Sequence, residues 1–227
     1  MKNSMEFFGE ALYAYWKGDK KSKFYLVYVS DKRIDELDKY ELDLGIYFRN
    51  YDQLSDLEKK LISLSHGEIL DVGCGTGYYI PALMKRGNTE GIDISEKVIK
   101  IAQKMGLKNC KLGNIFDFKS DKKYDTITLL QNNLGIAETL PRAKRLLKIL
   151  SNLLNRDGQI LNILRKYFGG DYIVDERYFE WKNKRSSNFR WITFNVNFLS
   201  KLCSEMDLKL EIIDENEDFY LIRISEK

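Results

Sequence analysis

Three glycines, spaced one residue apart, mark the segment of this sequence with the clearest chemical meaning. Gly73, Gly75 and Gly77 come directly after the mostly apolar run 69–72 and directly before a segment with helical spacing. Glycine permits tight turns and close approach of a ligand, and a helix start presents free N–H groups. We therefore predict a ligand site where this strand passes into its helix.

The spacing of these glycines separates the loop from two common nucleotide sites. A dinucleotide fingerprint has the pattern G-x-G-x-x-G, but Tyr78 stands where that pattern requires its third glycine. A P-loop ends in Gly-Lys-Ser or Gly-Lys-Thr, and neither follows this loop. The spacing therefore disfavours an NAD-dependent dehydrogenase and a P-loop site.

The elements around the loop predict the fold that positions it. From Gly67 onward, short apolar runs alternate with segments of helical spacing, which is typical of a parallel sheet with helices on both faces. Two final runs, 208–213 and 219–224, flank a polar turn and predict an antiparallel hairpin at one edge. The expected fold is α/β: a Rossmann-like, doubly wound, seven-stranded sheet, mostly parallel with an antiparallel C-terminal strand. The other predicted strands are 68–72, 89–93, 109–112, 124–131 and 158–164, and the predicted helices are 78–85, 95–105, 143–154 and 198–206.

Two segments outside this sheet should cover the site. Within 1–66, residues 7–16 have apolar helical spacing, 24–29 is β-prone, and Ser55 with Glu58 forms a capping box for a helix ending near residue 65. An insertion at about 165–195 interleaves aromatic and basic residues. We therefore divide the chain into a cap segment, 1–66, and a ligand-binding domain, 67–227, that carries the insertion.

Composition disfavours several classes of protein. The 227 residues are 44% hydrophobic with a formal charge of +3, which suits a globular domain and lacks the basic excess of a dedicated nucleic-acid binder. No apolar run reaches the roughly 18–20 residues of a membrane span, and the N-terminus lacks a secretory signal. The three cysteines are far apart and His66 is the one histidine, so neither a disulfide framework nor a multi-histidine metal site is expected. We expect a cytoplasmic protein without membrane contact.

The glycine loop is part of a longer set of motifs. The segment 69–77, with the pattern I-L-D-x-G-x-G-x-G, resembles motif I of the class I S-adenosylmethionine-dependent methyltransferases. Four later segments, 91–95, 113–115, 124–131 and 158–161, match further motifs of that family in the same order. The resemblance implies S-adenosyl-L-methionine as methyl donor and S-adenosyl-L-homocysteine as product.

The resemblance also implies roles for individual residues. Asp93, 20 residues after Gly73, ends the second strand and would accept hydrogen bonds from both ribose hydroxyls. Asn114 and Ile115 would contact the adenine, although the family commonly has Asp at the Asn114 position. The backbone carbonyl of Gln131 would meet the methionine amino group. The full set of predicted donor contacts is Asp71, Gly73, Cys74, Gly75, Gly77, Asp93, Ile94, Asn114, Ile115 and Gln131.

The acceptor should lie beyond the fourth strand. Ligands of open α/β sheets bind past the carboxyl ends of the strands, which favours Asn132 and Asn133 as acceptor contacts and places His66 at the wrong end. The two asparagines can equally be turn residues. Upstream, Tyr47 and Arg49 resemble part of a subgroup of small bacterial and archaeal methyltransferases without a settled substrate. They would contact the substrates, with either an upstream aromatic or Arg49 at the donor carboxylate, or pack on the core.

We expect methyl transfer to a small-molecule acceptor and leave three alternatives open. Lys182, Lys184 and Arg185, interleaved with aromatics, could bind RNA, although acidic residues just upstream oppose a polyanion. A protein acceptor, or a nucleotide-binding module without catalysis, would carry the same motifs. No N/D-P-P-[YF] signature is present, which argues against methylation of amide-type nitrogens, and no residue stands out as catalytic.

Overall fold

The computed structural model describes residues 1–29 and 39–227, in which strands and helices alternate as predicted. The helices are α1 (Lys2–Trp16), α2 (Asp56–Leu64), α3 (Ile80–Leu83), α4 (Glu96–Lys104), α5 (Leu140–Leu153) and α6 (Val196–Ser204). The strands are β1 (Phe24–Tyr28), β2 (Lys39–Glu41), β3 (Gly67–Val72), β4 (Gly87–Asp93), β5 (Cys110–Leu112), β6 (Tyr124–Leu129), β7 (Leu154–Arg165), β8 (Tyr172–Trp181), β9 (Lys184–Arg185), β10 (Phe189–Phe194), β11 (Leu208–Glu215) and β12 (Phe219–Glu226). Across these described ranges, no helix has both the length and the apolarity to cross a bilayer.

Seven strands form the main sheet in the order β11-β12-β7-β6-β3-β4-β5. Strands β5, β4, β3, β6 and β7 run parallel to their neighbours among these five, whereas β12 is antiparallel to both β7 and β11. This topology confirms the predicted doubly wound sheet and its C-terminal hairpin. The strand order reverses between β3 and β6, and open α/β sheets bind their ligands at such a reversal.

Helix α3 and strand β6 are shorter in the structure than predicted. Helix α3 has 4 residues, because the backbone on either side of it forms tighter turns whose N–H groups bond three residues back. The fourth predicted strand, 124–131, ends at Leu129. It stops there because Gln131 and Asn132 have φ angles of +55° and +59°, which an extended strand cannot contain.

Local signals fix the starts of α2 and α4. The capping box before α2 is present as predicted: the Ser55 hydroxyl accepts the Glu58 N–H, and the Glu58 carboxylate accepts the Ser55 N–H at 2.7 Å. Ser95 caps α4, also as predicted. Glu6 of α1 reaches the same helix start, where its carboxylate accepts the first backbone N–H of α4 at 2.7 Å. The N-terminal helix is thereby fastened beside Asp93.

A second sheet lies over the carboxyl ends of the main sheet. Strands β10, β8, β1 and β2 pair antiparallel in that order, and β9 forms a hairpin with β8. We call these five strands the lid sheet. Within it, β1 pairs with β8 from Phe24 opposite Trp181 to Tyr28 opposite Arg177. The N-terminal segment and the insertion, predicted as two separate covers, therefore build one structure.

Aromatic side chains join the lid sheet to α1. Phe179 of β8 is buried, and its ring centroid lies 5.3 Å from that of Phe8 in a stacked arrangement. The ring centroids of Phe24 and Phe189 lie 5.1 and 4.8 Å from that of Phe179. Aromatic pairs at such distances add to the free energy gained by burying the rings. The lid sheet and α1 are therefore stabilised as one unit.

Candidate functional site

A cavity of about 460 Å³ lies between the carboxyl ends of β3, β4 and β6 and the lid sheet. This volume is typical of small-molecule sites. The glycine loop, the end of β4 and the segment after β6 form its floor, and α1 with the lid sheet forms its roof. Of the residues predicted to contact ligands, ten line the cavity: Tyr47, Gly73, Cys74, Gly75, Asp93, Ile94, Asn114, Ile115, Gln131 and Asn133. Four do not: Arg49, Asp71, Gly77 and Asn132.

The glycine loop leaves room for a ligand at its second glycine. Gly73 and Gly75 have φ angles of +74° and +58°, a region that side chains disfavour. A Cβ at Gly73 would lie 2.6 Å from Nδ2 of Asn133, whereas a Cβ at Gly75 would meet no atom within 4 Å. Gly77 instead allows close packing against Leu107. The loop is therefore a cradle open above Gly75.

Asp93 extends this cradle. Its Oδ2 accepts the Gly75 N–H at 3.0 Å, and its Oδ1 accepts the Ser95 N–H at 2.9 Å. Burial raises the pKa of Asp93, against the lowering effect of hydrogen bonds from the backbone of Ser95, Gly75 and Ile94. A carboxylate can accept about four hydrogen bonds in all, so it keeps capacity for a further donor. A carboxylate fixed in this way suits a hydroxyl group such as that of a ribose.

Asp71 lies inside β3 and does not reach the cavity. It is 1% exposed; its Oδ1 accepts the Thr128 hydroxyl at 2.7 Å, and its Oδ2 has no partner among the described residues. Burial raises the pKa of Asp71 to about 7, although the Thr128 hydrogen bond lowers it. Its charged form is therefore unfavourable in the folded protein.

We expect Asp71→Asn to remove part of the pH dependence of stability. The folded-state pKa of about 7 exceeds the ordinary value of 3.8, so the folded protein holds an extra proton between these pH values. The free energy of unfolding therefore falls as pH rises through this window. The total decrease is roughly 4 kcal/mol for a pKa raised by about three. The amide has no proton to lose, so urea unfolding should show the variant at least as stable as the wild type at pH 8.

Asp125→Asn provides a control with the opposite sign. Asp125 accepts the Glu68 N–H at 2.8 Å and the Asn155 amide at 2.7 Å, and these bonds lower its pKa. Its contribution to stability is present above the ordinary pKa and is lost as pH falls, so this substitution should destabilise the protein most at neutral pH. Parallel pH profiles for the two variants would contradict the assignment of Asp71.

Asn114 and Ile115 line the cavity as predicted, but the Asn114 side chain is already engaged. Its Oδ1 accepts the Phe116 N–H at 3.1 Å, and its Nδ2 donates to Asp117 at 2.8 Å. These bonds shape the turn after β5, from which Ile115 and Phe116 line the cavity. Asn114 therefore positions the turn, and Phe116 adds a ring that the motifs did not indicate.

The three amides after β6 have different tasks. The Gln131 side chain donates to Glu58 at 3.0 Å. Asn132 accepts a backbone N–H of β7 at 3.3 Å and does not line the cavity, so it has the turn role left open above rather than acceptor contact. Asn133 donates to both backbone carbonyls where β3 enters the glycine loop, each at 3.1 Å. Asn133 therefore fixes the segment after β6 to the glycine loop.

Arg49 is turned away from the cavity, so it has the packing role left open above. Its guanidinium contacts both oxygens of Glu58, at 2.7 and 3.2 Å, and the Glu58 side chain is only 4% exposed. The pKa of Glu58 lies below its ordinary value. Burial raises this pKa, but hydrogen bonds from Tyr79, Ser55 and Arg49 lower it by more. Tyr47 keeps its place in the cavity wall.

Tyr78 lines the cavity, but its hydroxyl is buried beside Arg49 and Tyr79 and has almost no exposed surface. Burial raises the pKa of Tyr78 above its usual range, against the lowering effect of these two neighbours, so the hydroxyl keeps its proton.

Neither Cys74 nor His66 offers a nucleophile or a base. A hydrogen bond with the Cys110 thiol, together with burial, raises the pKa of Cys74, so its thiol stays protonated. His66 is exposed at the amino end of β3, as expected, and does not line the cavity.

Several residues of the cavity wall carry no sequence motif. Glu138 lines the cavity at a φ of +67°, which is rare for a residue with a side chain. Arg142, Arg177 and Trp191 also line it. Arg177 and Trp191 lie in the aromatic and basic insertion that the sequence singles out. Glu138 and Arg142 reach the cavity through tertiary packing that has no local signature.

Comparison with known sequences agrees with these features. A family model described as a methyltransferase domain matches residues 63–217. An uncharacterized methyltransferase from Staphylococcus carnosus is 25% identical over 186 residues, which cover 78% of this chain and 86% of that protein. A ubiquinone biosynthesis O-methyltransferase from Nitrosomonas europaea is 26% identical over 140 residues, which cover 54% of this chain and 57% of that protein.

Solved structures share the fold. A methyltransferase from Bacteroides fragilis, in complex with S-adenosyl-L-homocysteine, superposes with a TM-score of 0.84 at 24% identity, covering 99% of this chain and 95% of that one. A sugar N-methyltransferase from Streptoalloteichus has a TM-score of 0.61 at 13% identity, covering 88% and 98%. The fold likeness to the first structure thus extends over nearly the whole chain.

Proposed function

Since the chain belongs to the family of methyltransferase domains, we propose that it transfers a methyl group from S-adenosyl-L-methionine to a small-molecule acceptor beneath the lid sheet. The observation that carries this proposal is the joining of Gly75 and Asp93 by one hydrogen bond at the cavity floor. Together they offer an open cradle and a fixed carboxylate, which a nucleoside donor requires. The Bacteroides fragilis structure holds the corresponding product in the same fold.

The donor site would use groups that the fold leaves partly unsatisfied. Asp93 would accept hydrogen bonds from the ribose hydroxyls, and Ile115 with Phe116 would pack on the adenine. The charge of Arg49 is paired with Glu58, so we do not assign Arg49 to the methionine carboxylate.

Alignment and exclusion of water are what the chain contributes to the reaction. When bound, S-adenosyl-L-methionine supplies a methyl group on a positively charged sulfur. Holding two reactants in line can contribute on the order of 7–11 kcal/mol. Leu26, Leu42 and Phe179 give the roof of the cavity an apolar surface that keeps water from this charge.

A small acceptor is favoured over RNA by the charges of the insertion. Of the three basic residues at the β8–β9 turn, Lys182 lies 2.6 Å from Asp19, and Glu180 beside the turn holds Lys39 of β2. The positive charge of this patch is thus partly neutralised, which weakens phosphate binding. The cavity, in contrast, is roofed by the lid sheet and has the size of a small-molecule site.

Two measurements test this proposal. Calorimetric titration should show binding of S-adenosyl-L-methionine and S-adenosyl-L-homocysteine but not of NAD. The protein is then incubated with methyl-labelled donor and a cell extract separated into dialysable, RNA and protein fractions. We expect label in the dialysable fraction. Label confined to RNA or protein, or donor binding without any transfer, would overturn the small-molecule assignment.

A further inference from the structure

We propose that the Glu138 carboxylate receives the amino group of the acceptor, so that the methyl group is transferred to the nitrogen of a small amine. This inference rests on the proposed function and names the substrate class for the same cavity. It follows from the backbone, the surroundings and the charge of one residue that no sequence motif includes.

The backbone at Glu138 is strained. Its φ and ψ are +67° and −36°, and the Thr139 N–H donates to the Ala137 carbonyl at 2.7 Å across it. This is a γ-turn of the rare kind that side chains disfavour, and glycine would adopt it at lower cost. Such strain persists where the surrounding structure enforces it, and it is concentrated at functional sites. The presence of a carboxylate here therefore needs a reason beyond the turn itself.

The turn that carries Glu138 is fixed on two sides. Asn133, at its start, is bonded to the two carbonyls that open the glycine loop. Gly135, in its middle, packs directly against the indole ring of Trp191, so that no side chain would fit there. The turn is held between the donor cradle and the lid sheet. Glu138 is thereby presented to the cavity at a set position relative to the donor.

One oxygen of Glu138 is held and the other is not hydrogen-bonded by the described residues. Oε2 lies 3.2 Å from a guanidinium nitrogen of Arg142, whose Nε donates to the Ala137 carbonyl at 3.1 Å. Oε1 lies 3.7 Å from the nitrogen of Met1, beyond hydrogen-bond distance, and the carboxylate is 18% exposed. Arg142 thus orients the carboxylate and leaves its second oxygen able to accept a hydrogen bond.

The rest of the wall suits a cation with an apolar body. Phe116 and Trp191 line the cavity with aromatic rings, which attract cations over their faces. The guanidinium groups of Arg142 and Arg177 lie 4.2 and 5.8 Å from the centroids of these two rings. Arg177 has its own carboxylate partner in the buried Asp175 at 2.7 Å. Both arginines of the wall are therefore paired with carboxylates, and its third basic residue, Lys2, is exposed to solvent.

The chemistry of the step gives this carboxylate a function. The bound ammonium first passes a proton to the Glu138 carboxylate, which frees the lone pair of the nitrogen. The lone pair attacks the methyl carbon, the new N–C bond forms as the S–C bond breaks, and the electron pair of that bond stays on sulfur, which becomes neutral. The positive charge passes from sulfur to the methylated nitrogen, and Glu138 returns its proton to water when the product leaves.

Binding to the protein saturated with S-adenosyl-L-homocysteine tests the inference without a known substrate. The probes are phenethylamine, phenethyl alcohol and phenylacetate, which differ in charge and share an aromatic body. Calorimetry should show the amine binding at least about tenfold more tightly than the alcohol. Glu138→Gln should erase that difference, whereas Asp157→Asn, at an exposed acid with a φ of +66°, should retain it.

Three outcomes would overturn the inference: no amine binding, equal affinities for the amine in wild type and Glu138→Gln, or preference for phenylacetate. A failure of the proposed function is distinguishable, because S-adenosyl-L-homocysteine itself would then not bind. Glu138→Gly separates function from structure. It should raise the melting temperature by about 2–4 °C by relieving the strained φ, while the preference for the amine is lost. A lower melting temperature would assign the residue to stability instead.

Discussion

Replacing Asp93 with Asn is expected to weaken S-adenosyl-L-homocysteine binding about 100-fold in a protein that remains folded, or about 2.7 kcal/mol. Hydrogen bonds to a charged group contribute about 1.5–3 kcal/mol, and this carboxylate would accept bonds from the ribose. The amide also has one acceptor oxygen where the carboxylate has two. Its NH₂ group must therefore face the N–H of Gly75 or of Ser95, which opposes the native shape of the loop.

Asp117→Asn is the matched control for Asp93→Asn. Asp117 is exposed and bonds to Asn114 near the predicted adenine contact, but it does not line the cavity. Its substitution should change the affinity by less than about threefold, as for exposed surface positions. Calorimetric titration of both variants, with circular dichroism to verify folding, decides the matter. Unchanged affinity in folded Asp93→Asn would remove Asp93 from the donor site.

The second large effect is expected from Gly135→Ala, which should destabilise the protein by about 3 kcal/mol and reduce turnover at least tenfold. A Cβ at Gly135 would overlap the indole ring of Trp191. The ring is rigid, so β10 must move, and with it the lid sheet. The turn that carries Glu138 must shift as well. Donor affinity should fall less than turnover, because the glycine loop and Asp93 lie on other strands.

A double-mutant cycle separates this clash from other effects of adding a methyl group. In a Trp191→Ala background the added methyl has no ring to meet, so Gly135→Ala should cost at least about 1–2 kcal/mol less there. Gly113→Ala is the control, since its Cβ would lie an ordinary 3.5 Å from Ile92. Urea unfolding gives each free energy. Additive costs in the double mutant would show that Trp191 and Gly135 are not coupled.

The main sheet could be predicted from the sequence because its signals are local. The capping residues Ser55 and Ser95 and the glycines that follow β3 each identify an element boundary from neighbouring residues alone. The lid sheet could not be predicted in the same way. Strand β1 pairs with β8, and no local pattern in either segment indicates a partner strand so distant in the sequence.

The donor side of the site was predictable to a similar degree, and the acceptor side was not. Asp93 and the glycine loop follow from spacing, because the sheet must bring consecutive strand ends together. Asn132 accepts a backbone N–H of β7, and Arg49 pairs with Glu58. Both contacts depend on tertiary packing. Glu138 lies at a backbone geometry that its residue type argues against, so propensity points away from it.

The pairing of β1 with β8 also sets the order in which the protein can be completed during translation. The ribosome completes β1 at Tyr28, whereas its partner β8 is complete only at Trp181, after the five parallel strands have been made. The nascent chain must therefore carry β1 with one open edge through much of its synthesis, since only β2 is available to pair with it, and an open edge is a hazard for pairing with other chains. Contacts this far apart in sequence also slow folding. The roof of the cavity can consequently assemble only after the five parallel strands beneath it have been made.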